Sequence, residues 1–251
     1  MSSAELLDFK MINNNLKGRT ALVTGAPVRI GRAISLALAA EGINVVAHHF
    51  GMEPKSQELV KEISNSYGVK SWEISSDFSR PDEYETLIMR VMEITGGFDI
   101  LINNASSFSS DTLETVDLRN ISSHMQINAW APFVLCRDFA RAAKHGHIIN
   151  ILDARIEGYD WEHVSYILSK HLLGLMTKML AVKFSPDITV NGIAPGAILA
   201  PVDKMDAVLP KRHGGTDDIA QAVTYLLKND YINGQVLYVD GGRHLTGETN
   251  G

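Results

Sequence analysis

A tyrosine and a lysine four residues apart are the first pair in this sequence with the types and spacing for chemistry. Tyr166 and Lys170 lie in a segment whose periodicity predicts a helix, and positions i and i+4 share one face of a helix. An ammonium group beside a phenol favours the phenolate and is expected to lower the tyrosine pKa from about 10 toward neutrality. The pair predicts a general acid–base, although this spacing alone is also that of two solvated side chains.

Two glycines follow the first apolar run of the chain. The run 20–23 leads into Gly25, and Gly31 opens a segment with helical periodicity. The first glycine permits a sharp turn, and the second permits a close approach to a pyrophosphate bound at the helix N-terminus. The segment predicts a dinucleotide-binding turn, with an ordinary strand-to-helix turn as the alternative. Arg29 stands where many such turns have another glycine, so we expect it to point at the phosphates or at a ligand above them.

The end of the second apolar run carries two histidines and no acidic residue. His48 and His49 occupy this position, and the first carboxylate after them is Glu53. Sites that select NAD usually place Asp or Glu there to bind the ribose hydroxyls, and a fixed carboxylate would repel a 2′-phosphate. The sequence therefore favours NADP(H) over NAD(H). The two histidines either donate hydrogen bonds to that phosphate or cap the strand.

Composition and charge exclude several kinds of partner. The chain has 251 residues, of which 45% are apolar, and a formal net charge of −6. An acidic chain without clusters of Lys and Arg argues against nucleic acid or an anionic membrane surface as the main partner, and no apolar stretch approaches the roughly 20 residues of a membrane span. The single cysteine, Cys136, lies in an apolar run and is interpreted as a core residue rather than a reactive thiol. We expect a cytoplasmic protein without a metal site.

The N-terminal segment and one internal segment lack the pattern of the rest. Residues 1–17 are mixed polar, without the basic start and apolar run of a signal peptide, and are predicted to be a loosely ordered leader before a single domain, 18–251. Segment 197–215 has no clear period and follows the end of a predicted strand. It is therefore predicted to be a loop and is a candidate lid over a ligand.

Strand-like and helical patterns alternate along the domain. Such alternation indicates βαβ units and a parallel sheet covered on both faces, which is a Rossmann-like, doubly wound α/β fold. The predicted strands are 20–23, 44–47, 71–75, 100–102, 147–152, 188–193 and 235–239. The predicted helices are 31–40, 57–67, 83–94, 124–143, 163–184 and 216–227, with Thr216 as the cap of the last.

These motifs, taken together, resemble the short-chain dehydrogenase/reductase family in order and spacing over residues 18–245. The resemblance implies a seven-stranded sheet, often assembled as a tetramer, with Asp77 on the adenine and Asn104 and Ala105 along the cofactor. It also implies that Asn128 holds a water connected to Lys170. The motifs that carry the resemblance are Thr24-Gly25…Gly31, Asp77, Asn103-Asn104-Ala105, Asn128, Tyr166…Lys170 and Pro195-Gly196. The residues predicted to bind the cofactor are Gly25, Arg29, Ile30, Gly31, His48, His49, Phe50, Asp77, Phe78, Asn104, Ala105, Ser106, Ile151, Tyr166, Lys170, Pro195, Gly196, Ala197 and Ile198.

One position departs from the family pattern. The family usually has a serine thirteen positions before the tyrosine, and this chain has Asp153 there. An ionised carboxylate would repel a developing alkoxide, whereas it suits a substrate that is protonated at nitrogen, such as a heterocyclic C=N bond. Asp153 beside Tyr166 is expected to relay or supply that proton. The alternative is a degenerate active site.

Several residues further resemble the pteridine reductases and the related bacterial dihydromonapterin and dihydrofolate reductases. These are Arg29, Ser106, Phe108, Asp153 and the run 195–199. The resemblance implies that a pterin lies between the nicotinamide and the Phe108 ring, with Arg29 and Ser106 bonded to both pterin and cofactor. Two departures from the pteridine reductases imply weaker binding of the 2′-phosphate of the cofactor. Val28 replaces a basic residue, and no arginine follows the second strand.

The leading hypothesis from the sequence is NADPH-dependent reduction of a dihydropterin, such as dihydromonapterin, to its tetrahydro form. Tyr166 and Asp153 would deliver the proton, and Lys170 would activate the tyrosine and hold the nicotinamide ribose. One alternative is a carbonyl reductase acting on an oxoacyl or small ketone substrate. A second is a regulatory module that binds NADP without catalysis. The substrate-binding residues predicted for the leading hypothesis are Arg29, Ser106, Phe108, Asp153 and Tyr166.

Overall fold

The structure is a computed structural model, and it describes residues 15–198, 212 and 214–245. The candidate lid 197–215 and the leader 1–17 therefore lie largely outside the described residues. None of the described helices is both long enough and apolar enough to cross a membrane.

The seven strands form one parallel sheet, as predicted. Its order is β3-β2-β1-β4-β5-β6-β7, so the direction of winding reverses between β1 and β4. All six neighbouring pairs are parallel. This is the doubly wound arrangement, in which ligands bind at the carboxyl ends of the strands beside the point of reversal. The strands are β1 Thr20–Val23, β2 Asn44–His49, β3 Ser71–Ser75, β4 Ile100–Asn103, β5 Gly146–Ile151, β6 Ile188–Pro195 and β7 Val236–Val239.

Eight α-helices cover the two faces of the sheet in the described part of the chain. Alternate strand residues face opposite sides, so Ala21 and Val23 pack in one core cluster and Leu22 packs in the other. The first cluster takes apolar residues of α1, α2 and α8, and the second takes those of α4, α6 and α7. The helices are α1 Arg29–Ala40, α2 Glu53–Tyr67, α3 Pro81–Tyr84, α4 Leu87–Thr95, α5 Leu118–Met125, α6 Ala131–Ala142, α7 Val164–Phe184 and α8 Thr216–Leu227.

The prediction of one continuous helix over 124–143 was wrong, because the helical segment begins earlier and is interrupted. The helical segment begins at Leu118, where Asp117 caps it by accepting from the Asn120 N–H at 2.8 Å. A π-helical turn, Gln126–Trp130, then joins α5 to α6. Single π turns of this kind occur frequently at functional sites, and this one carries Asn128.

Other boundaries differ by smaller amounts. The predicted helix 83–94 is two helices, α3 and α4, with a break after Tyr84. Strand β2 continues through His48 and His49, which the sequence placed beyond its end. The cap of α8 is Gly215 rather than Thr216, and the Asp218 carboxylate accepts the Gly215 N–H at 2.8 Å.

Candidate active site

A cleft of about 610 Å³ lies at the carboxyl ends of the strands, beside the reversal between β1 and β4. Every residue predicted to bind cofactor or substrate lines this cleft. Of the predicted site residues, Asn128 alone stands outside the lining, behind the loop that follows β4. Sequence reasoning missed eight lining residues, which are Pro27, Val28, Met52, Ser76, Ser107, Ile127, Leu152 and Arg155.

The turn after β1 is fastened to the end of β4. The Thr24 hydroxyl accepts the backbone N–H groups of Asn104 and Ala105, each at 2.9 Å. The Asn104 amide donates to the carbonyls of Thr24 at 2.8 Å and Gly25 at 3.2 Å. A Cβ on Gly31 would lie 2.1 Å from the Gly25 carbonyl oxygen, so only glycine fits where α1 approaches this turn. The start of α1 is thereby held at the cleft.

Arg29 has a backbone conformation that is unusual for its residue type. Its φ is 51°, and it is the only residue other than glycine with a positive φ in the described part of the chain. Left-handed backbone costs an L-residue roughly 1–2 kcal/mol. The side chain is exposed and lines the cleft. The strained backbone of Arg29 therefore places its guanidinium at the start of α1, where a phosphate group is expected to bind.

The two histidines of β2 differ from each other in their contacts. The Gly25 N–H donates to His48 Nδ1 at 3.2 Å, so Nε2 carries the hydrogen and donates to the Ser76 carbonyl at 3.0 Å. Burial lowers the pKa of His48 to about 4, so the ring is neutral. Because both of its nitrogens are used, the alternative in which His48 donates to a 2′-phosphate is wrong. His49 is also buried, and its Nε2 lies 3.9 Å from the Glu73 carboxylate.

Asp153 and Tyr166 are in direct contact, as the sequence predicted. The Tyr166 hydroxyl donates to Asp153 Oδ2 at 2.9 Å. Arg155 binds the same carboxylate through its side chain, with Nε 3.0 Å from Oδ1 and Nη2 2.9 Å from Oδ2. On its other side, Arg155 pairs with the buried carboxylate of Asp160. The site therefore contains an arginine between two carboxylates, which sequence reasoning missed.

This arrangement corrects the predicted protonation of Asp153. Burial by itself would raise the pKa of this carboxyl, but the hydrogen bonds and the charge of Arg155 outweigh burial, and the pKa lies below its usual value. Asp153 is therefore an ionised acceptor near neutral pH. The prediction that Asp153 itself supplies a proton was wrong.

The tyrosine also departs from its predicted ionisation. Burial and the neighbouring charge of Asp153 raise the pKa of Tyr166 well above 10. The expected lowering of the Tyr166 pKa toward neutrality by Lys170 was wrong. Burial lowers the pKa of Lys170 to about 8. Its Nζ donates to the Ile151 carbonyl at 2.8 Å and lies 5.7 Å from the centre of the Tyr166 ring.

Asn128 connects the loop after β4 to helix α7. Its Oδ1 accepts the Ser106 hydroxyl at 3.1 Å and the Ser107 N–H at 2.8 Å. Its Nδ2 donates to the Ser107 carbonyl at 2.9 Å and to the Ser169 hydroxyl at 3.0 Å. The side chain thus fixes the position of Ser106 relative to Tyr166. The predicted link through a water to Lys170 stays a prediction.

Phe108 stands at the mouth of the cleft. Its ring stacks on His163 at 4.3 Å between centres and meets the Tyr166 ring edge-on at 4.7 Å. The side chain is 55% exposed. Because the ring is held from one side and remains half open, it offers a flat surface next to the Tyr166 hydroxyl.

The described residues contain no group of three or more His, Cys, Asp or Glu placed to hold a metal ion. The buried thiol of Cys136 accepts from the Asn103 amide at 3.2 Å, and burial raises its pKa to about 12. This environment agrees with the interpretation of Cys136 as a core residue.

Comparison with known proteins assigns the family. The sequence model of a family described as enoyl-(acyl carrier protein) reductase matches residues 25–244. The chain belongs to the short-chain dehydrogenase/reductase family of oxidoreductases, as its motifs predicted.

The relatives differ in substrate. A 3β-hydroxysteroid dehydrogenase of Eggerthella lenta is 30% identical, over 92% of this chain and 96% of its own. A 3-oxoacyl-[acyl-carrier-protein] reductase (FabG) of Staphylococcus epidermidis is 31% identical, over 90% and 99%. Among solved structures, the alternative dihydrofolate reductase FolM of Brucella canis, complexed with NADP, is 31% identical, with a TM-score of 0.87 over 94% of this chain and 98% of that one.

Proposed function

We propose that this chain is an NADPH-dependent reductase of a pterin-type C=N bond, converting a dihydropterin to its tetrahydro form. The observation that carries the proposal is Asp153, whose carboxylate accepts the Tyr166 hydroxyl at 2.9 Å where the family usually has a serine. A carboxylate only accepts hydrogen bonds, so it matches a substrate rich in N–H donors, as a 2-aminopteridine is. The likeness to the alternative dihydrofolate reductase of Brucella canis supports the same assignment.

The cleft fits a phosphorylated dinucleotide. A Cβ at Gly31 would fill the space where α1 and the turn at Gly25 approach each other, and Arg29 brings a positive charge to this end of the cleft. The end of β2 presents no carboxylate to the cleft, which permits a 2′-phosphate. His49 and Phe50 would flank that phosphate. Asp77 would contact the adenine, and Lys170 would hold the nicotinamide ribose. When bound, NADPH supplies the hydride.

Three side chains would hold the substrate ring. Phe108 provides a half-exposed aromatic face beside Tyr166, so a flat heterocycle can stack on it. Ser106 and Arg29 line the same cleft and supply hydrogen bonds to the ring and to the cofactor. This arrangement orients a C=N bond toward the Tyr166 hydroxyl.

Tyr166 would deliver the proton. Its raised pKa keeps the phenol protonated, and the hydroxyl, which donates to Asp153 in the structure, would turn to the substrate nitrogen when the substrate binds. Transfer to the substrate nitrogen leaves a tyrosinate, whose negative charge the ammonium group of Lys170 and the guanidinium of Arg155 offset. Asp153 holds the hydroxyl before the substrate binds, and the Oδ2 position that the hydroxyl leaves would accept an N–H group of the substrate.

The proposal is tested by following NADPH oxidation with dihydrobiopterin, dihydromonapterin and dihydrofolate, and with 3-oxoacyl and small ketone substrates. We expect turnover of at least one pterin and a fall of about 100-fold or more in Tyr166→Phe, because the proton donor is lost. Turnover of ketones without any pterin would reject the pterin assignment. Tight NADPH binding without turnover of any substrate would favour a regulatory binding module.

A carbonyl reductase is the second candidate, and one feature of the site favours it. Arg155 pairs with Asp153, which removes much of the repulsion between that carboxylate and a developing alkoxide. The 3-oxoacyl reductase relative is consistent with this activity. Asp153→Ser separates the two activities, and Arg155 keeps its pair with Asp160 in this variant. If ketone reduction is the native activity, this variant should reduce ketones faster than the wild type. If pterin reduction is the native activity, the variant should lose it.

We also propose that the chain assembles as a homotetramer. Four apolar side chains on one face of α7 are exposed by 43% to 81%: Leu168, Leu175, Met179 and Val182. Their spacing places them along one stripe of the helix, and an exposed apolar stripe of this kind marks a contact surface. Sedimentation of the double variant Met179→Glu/Val182→Glu should show smaller species than the wild type, whereas Met89→Glu, which is also exposed, should not.

A further inference from the structure

We infer that Arg155 is a positioning residue of the active site, which keeps the Asp153 carboxylate ionised and turned toward the Tyr166 hydroxyl. This inference deepens the proposed function, in which Tyr166 is the proton donor. It also identifies Arg155 as a determinant of substrate type, because an ionised carboxylate can accept hydrogen bonds from a substrate but cannot donate one.

The contacts around Asp153 assign this role. Oδ1 accepts the Arg155 backbone N–H at 2.9 Å and Arg155 Nε at 3.0 Å. Oδ2 accepts Arg155 Nη2 and the Tyr166 hydroxyl, each at 2.9 Å. A carboxylate has about four lone-pair positions, and Arg155 fills three of them. The remaining position is the one directed at Tyr166, so the arginine determines where the carboxylate points.

Arg155 is itself fixed in place. Its Nη1 pairs with Asp160, whose side chain is fully buried and also contacts His163 Nδ1 at 3.0 Å. The guanidinium carbon lies 5.6 Å from the centres of both the Phe108 and the Tyr166 rings. Because the Arg155 guanidinium is held from several sides, it has little freedom to release Asp153 when a ligand binds.

The charges around Asp153 explain why an arginine is needed. The side chain of Asp153 is 14% exposed, and burial opposes its ionisation. The charged or titratable groups that face it are Arg155, Tyr166 and Lys170, with Asp160 on the far side of the arginine. Lys170 is turned to the Ile151 carbonyl and is partly neutral near pH 8. Arg155 is therefore the group that holds the negative charge on Asp153 over the whole working pH range.

A substrate-independent titration tests this role. The carboxyl carbon of Asp153 is followed by ¹³C NMR in protein labelled at aspartate, with the signal assigned by its loss in Asp153→Asn. In the wild type we expect the signal to titrate below the usual aspartate pKa. In Arg155→Met we expect it to titrate above that value, because burial is then unopposed.

A control and a conservative variant sharpen the test. Arg137 makes a similar two-pronged pair with Asp138, at 2.8 and 2.9 Å, and Arg137→Met should leave the Asp153 signal unchanged. Arg155→Lys keeps a positive charge but loses the two-pronged contact with the carboxylate. Asp153 should therefore stay ionised, but its orientation toward the Tyr166 hydroxyl should be lost. If Arg155→Met does not fold, the lysine variant still decides the positioning role through its rate.

Kinetics supply the second readout. With whichever substrate the enzyme reduces, kcat should fall about 10- to 100-fold in both Arg155 variants, while the KM for NADPH changes by less than about twofold. In Arg155→Met the acid limb of the pH–rate profile should also move to higher pH. Wild-type kcat in both Arg155 variants, or an Asp153 titration unchanged by Arg155→Met, would overturn the inference.

The outcomes of these tests do not depend on whether the chain reduces pterins. The NMR titration needs no substrate, and the rate comparison can be made with a ketone if no pterin is reduced. Failure of the pterin assignment therefore leaves the role of Arg155 open to the same measurements.

Discussion

Burial and pairing determine the ionisation of each side chain proposed to be catalytic. Lys170 is fully enclosed and its pKa is lowered to about 8, while the pKa of Tyr166 is raised well above 10. The largest cause of both changes is loss of solvent, and Asp153 adds to the change at Tyr166. The resting site therefore holds a protonated phenol and a lysine whose charge changes within the physiological range.

The pH dependence of Lys170 gives a residue-scale prediction. A lysine with a lowered pKa loses its charge as the pH rises through about 8, and with it the support for a tyrosinate. We expect kcat/KM to decline above about pH 8, and Lys170→Arg, which stays charged, to move that decline to higher pH even though its absolute rate is lower. Lys144→Arg, a change at an exposed position, is the control. A decline at the same pH in Lys170→Arg would assign it to another group.

Arg29 combines strained backbone with a charge in the cleft, and two substitutions separate these features. Arg29→Gly removes both the charge and the strain at φ 51°, whereas Arg29→Ala removes the charge alone. We expect urea unfolding to show the glycine variant about 1 kcal/mol more stable than the alanine variant. Titration with NADPH should show that both variants bind more weakly, and to a similar extent. Wild-type affinity in either variant would exclude Arg29 from phosphate binding.

At the scale of elements, the π turn Gln126–Trp130 links the loop after β4 to helix α7. The turn carries Asn128, whose amide makes two hydrogen bonds to the loop after β4 through Ser107 and one to Ser169. Ser169 lies one turn from Tyr166 on α7 and donates to its carbonyl at 2.6 Å. Helix α7 and the loop after β4 are thus held at a fixed distance by one buried side chain.

Loss of that side chain should therefore affect stability and catalysis together. Asn128→Ala removes the partner of half-buried Ser107 and of buried Ser169, so we expect a loss of about 2–4 kcal/mol in the free energy of unfolding. Asn120→Ala, an exposed change on the preceding helix, should cost less than about 0.5 kcal/mol. Equal stability of the two variants in urea unfolding would contradict the bridging role of Asn128.

At the scale of the whole molecule, two buried histidines are neutral parts of the framework. His48 lies in β2 and His147 in β5, and burial lowers the pKa of each to about 4. His147 Nδ1 contacts the Thr189 hydroxyl of β6 at 2.8 Å, so the two histidines brace different parts of the sheet. In the unfolded chain both would titrate near 6.5.

Acid should therefore weaken the fold over a definite pH range. Because the unfolded chain takes up these protons first, stability falls as the pH drops from 6.5 to about 4, by roughly 3 kcal/mol for His48. His48→Gln should show a smaller loss of unfolding free energy over this range than the wild type, measured by urea unfolding at each pH. His145→Gln, at an exposed position, should follow the wild type. An unchanged pH dependence in His48→Gln would show that His48 is not buried in its neutral form.

The sequence by itself determined the succession of strands and helices along the chain, the family and most of the lining of the cleft. The succession follows from apolar periodicity, and the family follows from the joint motifs, including the glycines of the first turn and the spacing of Tyr166 and Lys170. Most of the lining residues were implied by the family resemblance that those motifs carry. Only the tertiary structure decided the ionisation of Asp153, the engagement of His48 and the bridging contacts of Asn128. Each depends on burial and on partners from other elements or in an irregular loop, such as Arg155, and periodicity does not encode those distances or that loss of solvent.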